Sequence, residues 1–237
     1  LPEGDGPGTQ DPVEIRQSWT VDGDCSYDFN PGLKAGMSNA GAREGGTFGF
    51  EFTRPQGDQT LKGLTAELPT GLLATVKDLP LCKDAQAAAG NCPAASRIGL
   101  VDASAGSGDP FVLEQKGEIF LTEGYKGGAY GLMVKVRAIA GPFRGAMELS
   151  PIIVRQKIEV DPTTAQVKAI SDPFPTIWHG VPLRVRRVLV NVDRPNFMIN
   201  PSDCSGKQVK ATLTSIEGTV RSRTNHFQAR DCKDLPF

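Results

Sequence analysis

The sequence predicts an all-β protein: a β-sandwich, immunoglobulin-like or jelly-roll-like, with one short helix clamped by a disulfide. Three observations support this class. Segments of alternating apolar and polar residues recur along most of the chain, turns rich in Gly, Pro and Asp separate them, and four of the five cysteines fall into two pairs. The 237 residues suffice for one large domain, and two fused small β domains are the alternative.

The clearest strand is predicted at residues 47–53, where Phe48, Phe50 and Phe52 alternate with polar or small residues and share one face. Further strands are predicted at 61–68, 118–122, 130–139, 152–160, 166–170, 183–192, 209–213 and 219–222.

The strand predicted at 183–192 contains an irregularity. Its apolar residues change phase at Arg186 and Arg187. One extra residue at this point restores the register, so we predict a β-bulge there. The alternative is a strand buried on both faces near Leu189.

Residues 83–89 (KDAQAAA) are the one helical candidate, because alanine has the highest helix propensity and Gly90-Asn91 is a stop signal. Along the whole chain we predict an N-terminal arm at 1–20 and an N-terminal β region at 21–115. A C-terminal β region follows at 116–237, with the boundary near residues 112–117.

The five cysteines are Cys25, Cys82, Cys92, Cys204 and Cys232. Cys82 and Cys92 flank the predicted helix, and Cys204 and Cys232 bracket the last strands. Neither pair has the C-x-x-C spacing of a zinc site. We therefore predict two disulfides, Cys82–Cys92 and Cys204–Cys232, and an oxidising compartment. Cys25 is then the odd thiol, either free or paired with another chain.

Composition and charge narrow the function further. Hydrophobic residues make up 39% of the chain, charged residues 22%, and the formal net charge is −1. This balance argues against nucleic acid and anionic membranes as partners, since both attract a basic excess. No run of about 18 apolar residues is present to span a membrane. Because the chain begins LPEG without an initiator methionine, we expect a processed, secreted chain or a trimmed fragment.

The N-terminal arm is a candidate assembly element. Residues 1–12 are dominated by Gly, Pro and acidic residues, which cannot bury enough apolar surface to order themselves. Val13, Ile15 and Trp19 follow in an amphipathic run that suits addition to the sheet edge of a neighbouring subunit. We therefore expect self-association through this arm, or contact with other surface proteins.

Asp22, Asp24 and Asp28 form a candidate metal site. Calcium prefers closely spaced oxygen ligands, but the spacing is not that of an EF-hand because the later Glu is missing. An acidic turn without an ion is the alternative. No other cofactor is expected.

Trp178, Arg184 and Arg186 are candidate ligand contacts. Trp178 lies in a Pro-rich stretch, and the two arginines share one face of the next predicted strand, where an anionic glycan is a suitable partner. The alternative is a solvent-exposed face or an edge strand guarded by charge.

Catalytic residues are not assigned. A hydrolytic triad needs a nucleophile, a base and an orienting group, and the available bases are His179 and His226. No G-x-S-x-G elbow is present, and the candidate carboxylates are single acids in alternating strands. We expect the chain not to be an enzyme.

Several phrases from residue 68 onward occur together in a recognisable order. They are LPTGLLATVKDLPLC (68–82), GNCPAASRIG (90–99), IFLTEGYKGGAYGL (119–132), IAGPF (139–143), IEVDPTTAQVKAISDPFPTIWHGVPLRVR (158–186), VDRPNFMINPSDC (192–204) and VKATLTSIEG (209–218). This set resembles a β-rich module of large, functionally uncharacterised, secreted or surface-associated proteins of actinobacteria.

The resemblance implies an extracellular β-rich module, often one of several in a longer chain, and it brings no catalytic residues. The two cysteine pairs match its pattern. Residues 144–155 depart from it, and the region before residue 40 lies outside it. The expected function is therefore a secreted structural or adhesive role at a cell surface or in an extracellular assembly. A carbohydrate-binding module is the alternative.

Overall fold

The computed structural model describes residues 27–106, 111–112, 116–140 and 147–232. Seventeen strands lie in these ranges. The first nine are β1 (Gly32–Met37), β2 (Gly45–Gly46), β3 (Phe48–Thr53), β4 (Leu61–Glu67), β5 (Leu73–Ala74), β6 (Arg97–Ala105), β7 (Phe111–Val112), β8 (Gly117–Thr122) and β9 (Tyr130–Ala140). The other eight are β10 (Met147–Val160), β11 (Val167–Ser171), β12 (Ile177–Trp178), β13 (Val181–Pro182), β14 (Val185–Val192), β15 (Met198–Ile199), β16 (Lys207–Ser215) and β17 (Val220–Phe227).

Twelve of these strands form one antiparallel sheet, in the order β1-β3-β14-β6-β8-β9-β10-β11-β4-β16-β17, with β7 paired to β6. Its two end strands, β1 and β17, contact each other, and the Asn225 side-chain amide donates to the Ala35 carbonyl across them. The sheet is therefore curled on itself, and its facing halves enclose the core as in a β-sandwich. Within the described ranges, no helix has the length and apolar character needed to cross a bilayer.

The core follows from the alternation seen in the sequence. Phe48, Phe50 and Phe52 of β3 all point inward and are buried, while Gly49 and Glu51 between them are only partly covered. Val209, Ala211 and Leu213 of β16 repeat this pattern and are fully enclosed. Successive side chains of a strand point to opposite faces, so alternating sequences become one apolar inner surface.

The strand order interleaves the two halves of the chain. β14, from the second half, lies between β3 and β6, whereas β4, from the first half, lies between β11 and β16. The alternative of two fused small domains does not fit this order, because a boundary near residues 112–117 separates hydrogen-bonded neighbours.

The predicted bulge in β14 is present. The pairing of β14 with β6 shifts register between Val185 and Arg187, while Val188 and Val190 face Phe52 and Phe50 across β3. One extra residue therefore changes the inward phase from odd to even positions, as the sequence indicated.

The predicted helix and both predicted disulfides are also confirmed. The described residues contain one α-helix, α1 (Asp84–Ala88), which lies between Cys82 and Cys92. It packs Ala87 against Phe120 and Met133 on the outer face of β8 and β9. The second disulfide joins Cys204 to Cys232.

Removal of the first disulfide tests how far it stabilises this region. Replacing Cys82 and Cys92 together by alanine is expected to lower the free energy of unfolding by about 3 kcal/mol, because the unfolded chain regains the freedom of the closed loop. Guanidinium unfolding of the variant and the parent measures the difference. A loss below about 1 kcal/mol would show that the hydrogen bonds of Cys82 with β8 hold the segment by themselves.

Candidate functional site

An apolar cavity of about 300 Å³ lies inside the curled sheet. Eight strands of the large sheet line it: β3, β4, β6, β8, β9, β10, β11 and β14. Each contributes residues from the same end of the sheet, such as the start of β9 and the end of β10. We call this the cavity end; its loops are residues 68–81, 123–129, 161–166 and 193–200.

The small sheet β2-β15-β5 forms one side of the cavity. Phe197 and Met198 are buried there and contribute to the lining, and Leu72, next to β5, is fully enclosed. This sheet closes part of the cavity end, where the strands of the large sheet separate into loops.

The mouth of the cavity lies between β5 and the turn that joins β10 to β11. Leu73 is 45% exposed and Val160 is 38% exposed, although both line the cavity. Ala74 and Ala165 beside them are exposed as well. Large exposed apolar side chains at an opening are typical of entrances to ligand sites.

The space arises from small residues on neighbouring strands. Ala66 of β4 is directly opposite Ala169 of β11, and both side chains line the cavity. Across these strands stand larger groups, among them Phe48, Phe50 and Val190. Because interiors are otherwise close-packed, two methyl side chains in place of branched ones leave a void.

Two polar side chains interrupt the apolar wall. Among the described residues that line the cavity, Gln156 of β10 is the one with an amide and Tyr130 of β9 is the one with a hydroxyl. Gln156 pairs with Leu132, and Tyr130 pairs with Ile158 two residues away, so the two polar groups are diagonal neighbours on the inner face. No described residue provides either group with a hydrogen-bond partner. No charged side chain is among the described lining residues.

A polar cluster covers the outer face of the same strands. The guanidinium of Arg155, which is buried, donates to Asp84 at 2.8 Å and stacks on the Tyr125 ring at 4.1 Å. The Tyr125 hydroxyl donates to Asp172 at 2.7 Å, and Lys126 pairs with the same carboxylate. Burial, and then the bond to Asp172, raises the pKa of Tyr125 above its ordinary value. This cluster ties α1 and the 123–129 turn to β10 and the end of β11, and so supports the cavity wall from outside.

Two of the three predicted glycan contacts, Trp178 and Arg186, make hydrogen bonds to the backbone of other described residues. Trp178 lies in the hairpin of β12 and β13, where its indole N–H donates to the Ser150 carbonyl at 2.8 Å. Arg184 is exposed, whereas Arg186 donates through Nε to the Arg54 carbonyl. Glycan binding by these residues stays a prediction.

Arg54 is a buried arginine that the sequence analysis missed. Its guanidinium donates to the carbonyls of Val185, Pro55 and Asp58. Burial first, and the neighbouring charge of Arg186 second, lowers the pKa of this group. Arg54 and Arg186 therefore hold the end of β3 against the start of β14, at the end of the sheet far from the cavity.

His179 has a close hydroxyl partner. Its Nε2 atom lies 2.6 Å from Ser150 Oγ, and both residues are exposed. A base beside a hydroxyl is one part of a hydrolytic site, which also needs an orienting acid. Within the described ranges no carboxylate contacts His179. The expectation that the chain is not an enzyme stays a prediction.

Several predicted residues lie outside the described residues. They are the assembly residues Val13, Ile15 and Trp19, the metal candidates Asp22 and Asp24, and the odd cysteine Cys25. Asp28 is described and exposed, and its carbonyl accepts from the Gln59 N–H. The calcium site and the assembly role of the arm stay predictions.

One signal in the sequence pointed to the cavity. Gln156 occupies the inward phase of a strand in which Ile152, Val154, Ile158 and Val160 are the other members. A polar residue in that phase indicates either a buried hydrogen bond or a polar group facing a space. The predicted sites did not include it.

The chain matches no protein-family model, and no curated protein or solved structure is significantly similar to it. The resemblance to the actinobacterial module therefore stays a prediction.

Proposed function

We propose that this protein binds a small apolar ligand inside the curled sheet. The observation that carries the proposal is the cavity of about 300 Å³, which opens between Leu73 and Val160 and whose described lining, apart from Gln156, consists of aliphatic and aromatic side chains. Native interiors contain few voids larger than a water molecule. A cavity of this size falls at the lower end of ligand pockets, which span about 300–1,000 Å³.

The lining determines the chemistry of the ligand. Apolar cavities hold water poorly, because water needs two to four polar partners, and they take apolar molecules instead. Burial of apolar carbon on binding contributes about 0.8 kcal/mol for each CH₂ group before the costs of association. The cavity therefore favours hydrocarbon over sugars, nucleotides or ions.

The compartment agrees with a carrier or receptor outside the cytoplasm. The two disulfides, Cys82–Cys92 and Cys204–Cys232, indicate an oxidising, non-cytoplasmic setting. Secretion to the cell surface is part of the proposal. A binding protein in that setting would remove the surface of an apolar molecule from water, which is energetically favourable.

Titration of the full chain with naphthalene, followed by calorimetry, tests the proposal. We expect one molecule per chain, a dissociation constant on the order of 10 µM, and a negative heat-capacity change from apolar burial. Bound naphthalene is also expected to raise the melting temperature, since it binds only the folded state. Absence of binding to folded protein at naphthalene saturation would exclude a cavity-based function.

A second candidate is the structural or adhesive role expected from the sequence. It is favoured by the β12–β13 hairpin, whose Ile177 is 64% exposed and Val181 40% exposed at the end of the sheet far from the cavity. Light scattering of the double variant Ile177→Ser, Val181→Ser against the parent tests for self-association. A monomeric parent would exclude self-association as the basis of this role. Binding on a glycan array would favour the carbohydrate-binding alternative.

A further inference from the structure

The two polar groups inside the cavity restrict the kind of ligand further. Gln156 and Tyr130 project from neighbouring strands into a wall that is otherwise apolar. Gln156 carries both a donor and an acceptor, and the Tyr130 hydroxyl can do either. Both side chains are partly buried, and among the described residues neither has a hydrogen-bond partner, so each is free to bond a ligand that displaces water from this wall. A ligand with one polar group supplies that partner.

The position of the pair orients such a ligand. Tyr130 lies opposite Ile158, two residues before Val160 at the mouth, which is a rise of about 7 Å along the strand. Gln156 lies on β10, two residues further from the mouth than Ile158. A head group held here is near the mouth, and the rest of the molecule lies against Phe48, Phe50 and the two alanines across the cavity.

The size and charge of the lining define the rest of the molecule. A cavity of about 150 Å³ holds one benzene, so about 300 Å³ accommodates roughly twelve carbon atoms. No charged side chain in the described lining is available to pair with an ionised head group, and an unpaired buried charge is strongly disfavoured.

We propose that the ligand is a neutral amphiphile: an alcohol, ester or amide on a single hydrocarbon chain of about ten to twelve carbons. Its head group bonds Gln156 and Tyr130, and its chain fills the apolar interior. This inference rests on the proposed function and deepens it, because it names the ligand class and the residues that select the head group.

Three ten-carbon probes and two conservative variants test the inference. Decan-1-ol carries a neutral head, decanoate at neutral pH carries a charge, and naphthalene has no head group. The variants Gln156→Leu and Tyr130→Phe remove one hydrogen-bonding group each and keep the approximate shape. Gln208→Leu, on the exposed face of β16, is the matched control. Affinities come from calorimetry, with circular dichroism to confirm folding.

We expect the parent to bind decan-1-ol at least tenfold more tightly than decanoate. Each variant at Gln156 and Tyr130 is expected to weaken decan-1-ol binding by about fivefold to tenfold and to leave naphthalene binding unchanged. Gln208→Leu is expected to behave as the parent.

Two outcomes separate this inference from the proposed function. If parent and variants bind decan-1-ol equally, or if decanoate binds as tightly as decan-1-ol, the neutral amphiphile is overturned. Binding of naphthalene would in that case still support the cavity as a ligand site. Failure of every probe to bind the folded parent overturns both. If one variant does not fold, the other variant alone decides the role of the polar pair.

Discussion

Replacing Gly99 by alanine is expected to lower the free energy of unfolding by about 3 kcal/mol, near the upper end of overpacking effects in well-packed interiors. Gly99 lies in β6, beside the strand β14. A Cβ atom there would collide with the Asn191 carbonyl oxygen and lie 3.0 Å from Val192 Cα. Both atoms belong to backbone, so the strain cannot be relieved by a side-chain rotation. Urea or guanidinium unfolding measures the loss.

Gly36→Ala is the matched control, since this glycine lies in β1 of the same sheet. A Cβ atom at position 36 meets nothing within 4 Å. Because glycine in a strand is entropically unfavourable, the substitution is expected to be neutral or to stabilise by about 0.5–1 kcal/mol. Equal destabilisation by both substitutions would contradict a steric origin of the Gly99 effect.

Gly99 also shows why one long strand was absent from the predicted set. β6 runs for nine residues, but it contains Gly99, Ala103, Ser104 and Ala105, so its apolar alternation is weak. The close approach of β14 requires glycine at position 99, and this requirement depends on a strand about ninety residues further along the chain. Local pattern cannot reveal a contact of that kind.

Structural features that depend on residues close together in the sequence were predicted correctly. The alternation of Phe48, Phe50 and Phe52 produced a strand, the phase change at Arg186 and Arg187 produced the bulge, and the alanine-rich segment produced α1. These features follow from side-chain period and intrinsic propensity. Both disulfides were predicted because each pair brackets a short, self-contained segment.

Strand order was not predicted, since pairing in a curled antiparallel sheet joins segments far apart in the chain. The placement of β14 beside β3, and of β4 beside β11, depends on how whole faces pack rather than on either strand alone. The cavity depends on the same placement, because Ala66 and Ala169 become neighbours only through the pairing of β4 with β11. From the sequence, each is an ordinary small residue in a strand.

Filling the cavity is the second large effect expected. The double variant Ala66→Leu, Ala169→Leu adds six carbon atoms to a space for roughly twelve. We expect naphthalene and decan-1-ol binding to weaken by at least a hundredfold, because the remaining volume no longer holds a ten-carbon molecule. Calorimetric titration measures this loss, and each single variant is expected to give an intermediate affinity.

The same variant is expected to keep or raise the stability of the fold. Each leucine buries about three more apolar carbons, worth about 2 kcal/mol before the cost of ordering its side chain. Thr65→Leu, on the outer face of β4, is the control and is expected to leave ligand affinity unchanged. Loss of ligand binding together with retained or increased stability would identify a space that is kept open for a ligand. Filling a void without a ligand-binding role would raise stability and abolish no binding. Binding at parental affinity in the filled variant would instead locate the ligand outside the curled sheet.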